Sequence, residues 1–321
     1  MLSSFIIDTL IERTMLKFLI SLLAVVSLCA GAFVGRPINS VKDQDDVIVR
    51  DSNSGRIVGG RTVDIAIYPH QVSLRSKSIT STFSIRKHIC GGSIISSTMI
   101  ATAAHCVIGK VPSQFQVVAG GNQREGSDSV ITLVKEIIMH EDFIPESYTN
   151  DIALLKLATP LPLNNFTIKA IELADGVAKE GEIATITGWG NTGINGYANF
   201  LQEVKVPIVS NELCNKDYNP KSFITERMIC AGFLQAAGKD ACQGDTGGPL
   251  IVSGKLVGLV SWGRGCARTG YPSVYTFVAA LKQWIDETIA ANVNPKNFLL
   301  LLHCIANYYC ILIKQCFKNL F

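Results

Sequence analysis

The chain has 321 residues, of which 48% are hydrophobic and 17% are charged, so it is long enough to bury a full core in one or two domains. Its 29 basic and 26 acidic residues give a net charge of +3. Because the basic residues are scattered, charge provides no argument for nucleic-acid binding. The sequence has no internal repeats and no low-complexity tracts, so we expect a folded globular protein.

The amino-terminal residues 1–32 have the features of a secretory signal peptide. Lys17 precedes an apolar run, Phe18–Leu28, and small residues follow at 30–32. This run is too short for a comfortable membrane span, although a buried or anchoring helix is the alternative. Acidic residues before Met15 are untypical of a signal, which favours a translation start at Met15. We therefore expect a secreted, extracellular protein.

A change of sequence pattern at Ile57 marks the start of the main domain. Residues 33–56 are polar and partly acidic, whereas short β-branched runs such as QVSL, FQVVAG, DIALLKL, EIATITGW and KLVGLVSW follow, separated by Gly, Pro, Asn and Asp. That pattern predicts an all-β domain over 57–293, either a barrel or a sandwich. Near its end, FVAALKQWIDETIAANV has apolar residues at helical spacing and predicts one closing helix.

The last segment, residues 294–321, is an apolar tail that contains cysteines. Its apolar stretch, Phe298–Ile313, has only sixteen residues and includes His303 and Asn307, so we do not expect it to cross a membrane. Lysines follow this stretch and the polar spacer is short, which argues against a lipid-anchor signal. We interpret the tail as an untypical extension without a role in the chemistry.

The ten cysteines fit an oxidising compartment. Cys29 would leave with the signal peptide, and three more cysteines lie in the tail. Sequence alone allows many pairings of the other six, which are Cys90, Cys106, Cys214, Cys230, Cys242 and Cys266. Because the chain has no C-x-x-C motif, we predict no zinc site. We also expect no other metal and no cofactor.

Three short stretches contain candidate catalytic residues. A lone histidine is usually structural, but His105 lies in the small-residue run ATAAHC. Asp151 leads directly into the buried run of TNDIALLKL, where a carboxylate is costly unless a group such as an imidazole pairs with it. Thr246 lies in GDTGGPL, a glycine-rich turn whose backbone amides can point at one spot. The other histidines keep a structural interpretation: His70, His88, His140 and His303.

In combination, these stretches resemble the chymotrypsin/trypsin family of secreted serine endopeptidases, from IVGG at Ile57 to WIDETIA near the end of the domain. The resemblance implies two six-stranded antiparallel β-barrels, a catalytic cleft between them and a closing helix. It also implies that His105 is the general base, that Asp151 orients it and that Thr246 occupies the nucleophile position. The amides of Gly244 and Thr246 would form the oxyanion hole.

The same resemblance implies an activation step and a disulfide pattern. RIVGG looks like the junction where an activating protease cuts after Arg56, unless Arg56 is only a linker residue. The freed amine of Ile57 would pair with Asp245, so the intact chain would be a zymogen with residues 33–56 as its activation propeptide. The implied disulfides are Cys90–Cys106, Cys214–Cys230 and Cys242–Cys266.

Substrate selection is implied by the stretches KDACQGD and SWGRGC. Asp240 falls where trypsin-like members keep the carboxylate that selects Arg or Lys; an ordinary solvated loop acid is the alternative. Gly263 should leave the pocket wall open, and Ser261 to Gly263 would offer backbone to an extended peptide. We therefore expect a protein or peptide as substrate or binding partner, and we expect a monomer.

The sequence departs from the family pattern at three places. Thr246 replaces the nucleophilic serine, and its extra methyl group stiffens χ1 and needs space. Ser273 stands where trypsin-like members have glycine, so it should narrow the pocket above Asp240. The stretch Ser76–Lys87 is longer than in a minimal member, which indicates a surface insertion or a contact for a macromolecule. The family's calcium loop is not kept, and Asn165 begins a possible N-glycosylation motif.

Two classes of function remain after these departures. One is a pseudoprotease, which keeps the fold and acts by binding partners. The other is a slow endopeptidase that cleaves after Arg or Lys with Thr246 as the acyl-forming nucleophile. We favour the pseudoprotease because Thr246 and Ser273 impair two different steps, nucleophilic attack and substrate seating.

Overall fold

The structure of the chain is a computed structural model that describes residues 59–77, 86–126, 128–192, 196–218, 223–235 and 239–292. Most of these residues belong to short strands and the turns between them. In chain order the strands are β1 (Arg61–Thr62), β2 (Gln71–Lys77), β3 (Arg86–Ser96), β4 (Met99–Thr102), β5 (Phe115–Ala119), β6 (Val130–Met139), β7 (Ala153–Leu157), β8 (Glu172–Leu173), β9 (Ile183–Gly188), β10 (Gln202–Val209), β11 (Met228–Ala231), β12 (Pro249–Val252), β13 (Lys255–Trp262) and β14 (Ser273–Phe277).

The strands form two closed antiparallel barrels of six strands each. The first barrel has the order β2-β3-β4-β7-β6-β5 and closes where β2 pairs with β5. The second has the order β10-β11-β14-β13-β12-β9 and closes where β9 pairs with β10. Strand β1 adds to β10, and β8 pairs in parallel with β13. The predicted all-β class and the two six-stranded barrels are confirmed.

Each barrel has its own apolar core because side chains alternate between the inside and the outside of a strand. In the first barrel, Phe115, Val117 and Ala119 of β5 are buried in one cluster. In the second, Ile186 of β9 and Tyr275 of β14 are buried in another. Closure leaves no unpaired strand edge around either ring, so the residues between the barrels can be held on rigid elements.

Two α-helices complete the fold. The helix α1 (Asn211–Asp217) begins after Ser210, whose side chain accepts a hydrogen bond from the Leu213 amide; sequence reasoning missed this helix. The predicted closing helix is confirmed as α2 (Val278–Asn292). Its buried side chains, Val278, Leu281 and Ile285, recur at helical spacing and pack against β13. Each such side chain contributes roughly 1.5–3 kcal/mol when it is fully buried.

Three disulfides join the pairs that the family resemblance implies: Cys90–Cys106, Cys214–Cys230 and Cys242–Cys266. The bridged residues are 16, 16 and 24 positions apart, and closing loops of this size removes chain entropy worth about 3 kcal/mol per bridge. Cys90–Cys106 fixes the residue after His105. Cys242–Cys266 ties the loop that contains Asp240 to the loop that follows Gly263.

Several predictions from sequence lie outside the described residues. They concern the signal peptide (1–32), the activation propeptide (33–56), the cleavage junction at Arg56 and Ile57, most of the insertion (78–85) and the tail (294–321). In the part of the chain that the structure describes, no helix is both long enough and apolar enough to span a membrane.

Candidate active site

The predicted general base, His105, lies on a short 3₁₀ turn, Ala104–Cys106, directly after β4. Its Nδ1 is 2.7 Å from Asp151 Oδ2, and its backbone amide donates to Asp151 Oδ1 at 3.0 Å. Since an ionised carboxylate only accepts hydrogen bonds, the Nδ1 atom is the donor in this pair. The other ring nitrogen, Nε2, is not in contact with Asp151, and the side chain is still 27% exposed to solvent.

The predicted orienting acid, Asp151, is fully buried just before β7. Besides the two contacts from His105, Oδ2 accepts a hydrogen bond from the Ser261 hydroxyl at 2.5 Å. Its backbone carbonyl accepts one from Thr276 Oγ1 at 2.7 Å. The carboxylate is thus compensated by donors from both barrels, as a buried charge requires. Sequence reasoning assigned Ser261 to the peptide-binding backbone and missed this contact of its side chain.

Thr246 lies at the tip of the tight turn before β12. Glycines build this turn: Gly244 has φ +95°, and a Cβ atom there would lie 2.4 Å from a ring carbon of Tyr197. Gly247 has φ +76°, and a Cβ atom there would lie 2.2 Å from Thr102 Oγ1. Only glycine fits at both positions. The turn is therefore fixed by its backbone, whatever side chain stands at Thr246.

The side chain of Thr246 is not bonded to the base. Its backbone carbonyl accepts a hydrogen bond from Gly91 N at 2.7 Å. Among the described residues, the Thr246 hydroxyl makes no hydrogen bond, either to His105 or to any other group. The first two members of the predicted triad are therefore joined, and the third lies on its turn without a link to them.

The predicted oxyanion amides are available. Along the turn, Asp245 N donates to Cys242 O at 2.9 Å and Gly247 N donates to Val260 O at 2.7 Å. The amides of Gly244 and Thr246, which alternate with these, donate to no group in the described part of the chain. Two free neighbouring N–H groups on a rigid turn are what an oxyanion site needs.

Asp245, which the family resemblance predicts to pair with the freed amine of Ile57, is completely buried. Its two carboxylate oxygens accept hydrogen bonds from Gly190 N at 2.8 Å and Cys242 N at 3.0 Å. Burial raises the pKa of Asp245 to about 7, although these two hydrogen bonds oppose the shift. A Cβ atom at Gly188 or Gly190 would approach an Asp245 oxygen to 2.2–2.3 Å, so both must be glycine for the carboxyl to fit.

A second buried histidine supports the turn. His88 Nε2 is 2.9 Å from the carbonyl oxygen of Gly244, and its Nδ1 is 2.8 Å from Ser73 Oγ. Burial lowers the pKa of His88 to about 4, so the ring is neutral at neutral pH. Sequence reasoning gave His88 only a general structural role. Nothing in the local sequence HIC points to Gly244, since strand pairing over long range brings them together.

The three residues assigned from sequence to a specificity pocket, Asp240, Gly263 and Ser273, lie close together. Asp240 is buried and accepts hydrogen bonds from Ala241 N at 2.8 Å and Ala267 N at 2.9 Å. Burial raises its pKa to about 6, while hydrogen bonding, including that of the Ser273 hydroxyl, opposes the shift. A Cβ atom at Gly263 would lie 3.3 Å from Ser273 Oγ. Gly263 and Ser273 therefore face each other, and Ser273 takes up space beside Asp240.

A row of aromatic rings leads away from His105. Its ring lies 5.1 Å from Tyr148, which stacks on Trp262 at 6.4 Å; Trp262 in turn contacts Tyr218 edge-on at 5.1 Å. These rings are contributed by three separate loops and strands, which explains why the sequence pattern did not reveal the row. They form an apolar shelf beside the backbone of Ser261 to Gly263.

One other residue singled out from sequence, Asn165, is not among the residues of the candidate site. Asn165 is exposed in a turn where the neighbouring Asn164 side chain accepts hydrogen bonds from three backbone amides, at Phe166, Thr167 and Ile168. Its glycosylation stays a prediction. Within the described ranges, no group of three or more His, Cys, Asp or Glu side chains could hold a metal ion.

Comparisons with known proteins also indicate a trypsin-like protein. The trypsin family model matches residues 57–285. The chain is 51% identical to trypsin zeta of Drosophila melanogaster over 282 residues, covering 86% of this chain and 96% of that protein. It is 46% identical to trypsin eta of the same species over 241 residues, with 74% and 90% covered. It is 42% identical to trypsin of Sus scrofa over 242 residues, with 74% and 97% covered.

Proposed function

The chain belongs to the trypsin family of serine proteases, and we propose that it is a secreted, catalytically impaired member that acts by binding proteins or peptides. The observation that carries this proposal is that, within the described residues, the Thr246 hydroxyl makes no hydrogen bond to His105, while His105 and Asp151 are paired at 2.7 Å. A trypsin-like protease acts on protein substrates. The same cleft without an effective nucleophile would hold such chains without cutting them.

The impairment follows from the chemistry of attack. The nucleophilic oxygen must transfer its proton to His105 Nε2 as it bonds to the substrate carbonyl carbon, and the amine leaves with a proton from the same imidazole. In threonine, a methyl group shares Cβ with the hydroxyl and stiffens χ1. A misplacement of about 1 Å costs on the order of 100-fold, and loss of a triad nucleophile costs on the order of a million-fold. We expect a loss between these limits.

The pocket adds an independent impairment. Ser273 is buried beside Asp240 and faces Gly263, so an Arg or Lys side chain that enters must share the space with its hydroxymethyl group. Asp240 also accepts backbone hydrogen bonds at 2.8 and 2.9 Å before any ligand arrives. We therefore expect a long basic side chain to bind less tightly in this pocket than in a pocket with glycine at position 273.

A second function, slow hydrolysis after Arg or Lys, is favoured by the intact remainder of the site. The free amides of Gly244 and Thr246 could stabilise an oxyanion, and His105 has the tautomer that a general base needs. In that case Thr246 Oγ1 would form an acyl ester with the substrate, and water would hydrolyse the ester with His105 again as the base.

We further propose that the intact chain is a zymogen. A protease that cuts after Arg56 would free the amine of Ile57, and this cation is a suitable partner for the buried carboxyl of Asp245, whose pKa is about 7 without one. Secretion with a signal peptide over 1–32 is supported by the three disulfides, which need an oxidising compartment. We propose that the processed protein is a monomer.

The decisive experiment cleaves the full chain after Arg56 and compares the parent with Thr246→Ser. We expect Thr246→Ser to raise kcat/KM for Arg and Lys peptides by at least about 100-fold and to restore labelling by a phosphonylating reagent. Parent activity equal to that of Thr246→Ser would contradict the proposal and establish the second function. A pull-down from secretory fluid tests partner binding, and absence of any specific partner at micromolar concentration contradicts the binding role.

A further inference from the structure

The loop after β13 places two arginines on one tyrosine ring. The guanidinium carbon of Arg264 lies 5.1 Å from the ring centre of Tyr271, and that of Arg268 lies 5.2 Å from the same centre. Arg264 Nη1 also donates to the Tyr271 hydroxyl at 3.3 Å. We call Arg264, Arg268 and Tyr271 the arginine clamp. Cation–π packing restricts both side chains, so their charges are held in place before a ligand binds.

The arginine clamp has no negative partner in the described part of the chain. Both arginines are exposed, and neither forms an ion pair there. The acids of this region, Asp240 and Asp245, are buried at 3% and 0% exposure and face inward. Two fixed like charges on one ring repel each other, and an anion placed between or beside them relieves that repulsion.

The position of the arginine clamp connects it to the peptide path. Arg264 directly follows Gly263 on the pocket wall, and Arg268 follows Ala267, whose amide donates to Asp240 at 2.9 Å. The Ser261 end of the same segment contacts Asp151. In the proposed use of the cleft, the backbone of Ser261 to Gly263 pairs with an extended peptide, which brings the residues before the pocket residue alongside Gly263 and toward Arg264.

From these contacts we infer that the cleft takes peptides with an acidic residue on the amino-terminal side of the residue in the pocket, and that the arginine clamp binds that carboxylate. This inference rests on the proposed use of the cleft for peptides. A planar guanidinium offers two parallel N–H donors to a carboxylate. Because Arg264 directly follows Gly263 and an extended peptide advances only about 3.3 Å per residue, the acidic residue belongs to the few residues just before the pocket residue.

The test uses labelled peptides that end in Gly-Arg with two upstream Glu, Gln or Lys residues, bound to the full chain cleaved after Arg56. We expect the Glu peptide to bind about two- to fivefold more tightly than the Gln peptide at low salt, as for an exposed but ordered ion pair, and the Lys peptide to bind weakest. The preference should fade near 1 M salt, where the screening length is about 3 Å.

Variants identify the groups responsible. Arg264→Gln with Arg268→Gln should abolish the difference between Glu and Gln peptides, whereas Arg264→Lys with Arg268→Lys should keep part of it. The matched control is Lys169→Gln with Lys205→Gln, which removes two exposed charges outside the cleft and should leave the preference intact. Equal binding of Glu and Gln peptides, or a preference that survives loss of both arginines, overturns the inference.

Hydrolysis in the Thr246→Ser background separates this inference from the proposed function. Cleavage after Arg at the same rate for Glu, Gln and Lys peptides leaves the proposed function standing and overturns the acidic preference. If no form binds or cleaves any Arg peptide, the assignment of Asp240 to a specificity pocket is wrong. The inference about the arginine clamp then fails as well, because it requires a peptide held in that pocket.

Discussion

Two halves of the cleft are both held by hydrogen bonds but differ in the groups that make them. In the base half, formed by His105, Asp151 and Ser261, each contact that a general base needs is made by a side chain. In the nucleophile half, formed by the turn Gly244–Gly247 and the proposed pocket residue Ser273, backbone hydrogen bonds hold the turn, and the Thr246 hydroxyl makes no hydrogen bond among the residues that the structure describes. The two halves therefore differ in whether side chains or the backbone make the contacts that hold the site.

The largest expected effect comes from deleting the base in two backgrounds. In the Thr246→Ser variant, His105→Ala should lower kcat/KM for an Arg peptide by on the order of a million-fold, as in a comparable triad enzyme. In the Thr246 parent, the same change should cost about 100-fold or less, because general-base catalysis requires a hydroxyl within reach of the imidazole. Steady-state rates of the cleaved proteins measure both losses.

A matched control for this comparison is His140→Ala. The ring of His140 lies 4.8 Å from that of Trp284 at a tilt of 31°, and His140 is not one of the site residues, so its removal should leave kcat/KM unchanged in both backgrounds. Equal losses for His105→Ala in the two backgrounds would show that Thr246 already works with the base, and the contrast between the two halves would disappear.

Sequence and resemblance predicted the base half better than its surroundings. Asp151 was found because a carboxylate leading into a buried strand needs a partner, and the pairing with His105 followed from the family pattern. His88 and Tyr197 were missed because their contacts with Gly244 depend on strand pairing and loop closure over more than 40 residues. The helix α1 was missed although Ser210 is a typical N-cap residue, since only seven residues follow in the helix.

The next largest effect is the pH dependence of stability that Asp245 gives to the uncleaved chain. The pKa of Asp245 is raised from 3.8 to about 7 by burial, so the folded uncleaved chain binds this proton more tightly than the unfolded chain does. The contribution of Asp245 to the free energy of unfolding is therefore fully present below about pH 4. It is lost as pH rises toward 7, by up to about 4 kcal/mol. Asp245→Asn should remove this dependence.

The measurement is the free energy of unfolding of the parent minus that of Asp245→Asn, from pH 4 to 7.5. Only the difference is informative, because His70 and His88, whose pKa values burial lowers to about 4, change stability in the opposite direction over the same range. The difference should fall with pH in the uncleaved chain and become flatter after cleavage at Arg56. A difference that is constant with pH before cleavage contradicts the raised pKa.

The smallest effect concerns the pocket. Ser273→Gly, made in the Thr246→Ser background, should lower KM for Arg peptides by about tenfold, since relieving a crowded contact is worth about 1–3 kcal/mol. The value of kcat should change little, because the turn that presents residue 246 is fixed by Gly244 and Gly247 and not by the pocket wall. A rise in kcat with constant KM would mean that Ser273 acts on attack, so the two departures would then impair one step. Peptides ending in alanine are the control, since a short side chain does not reach the space beside Asp240 and should show no change.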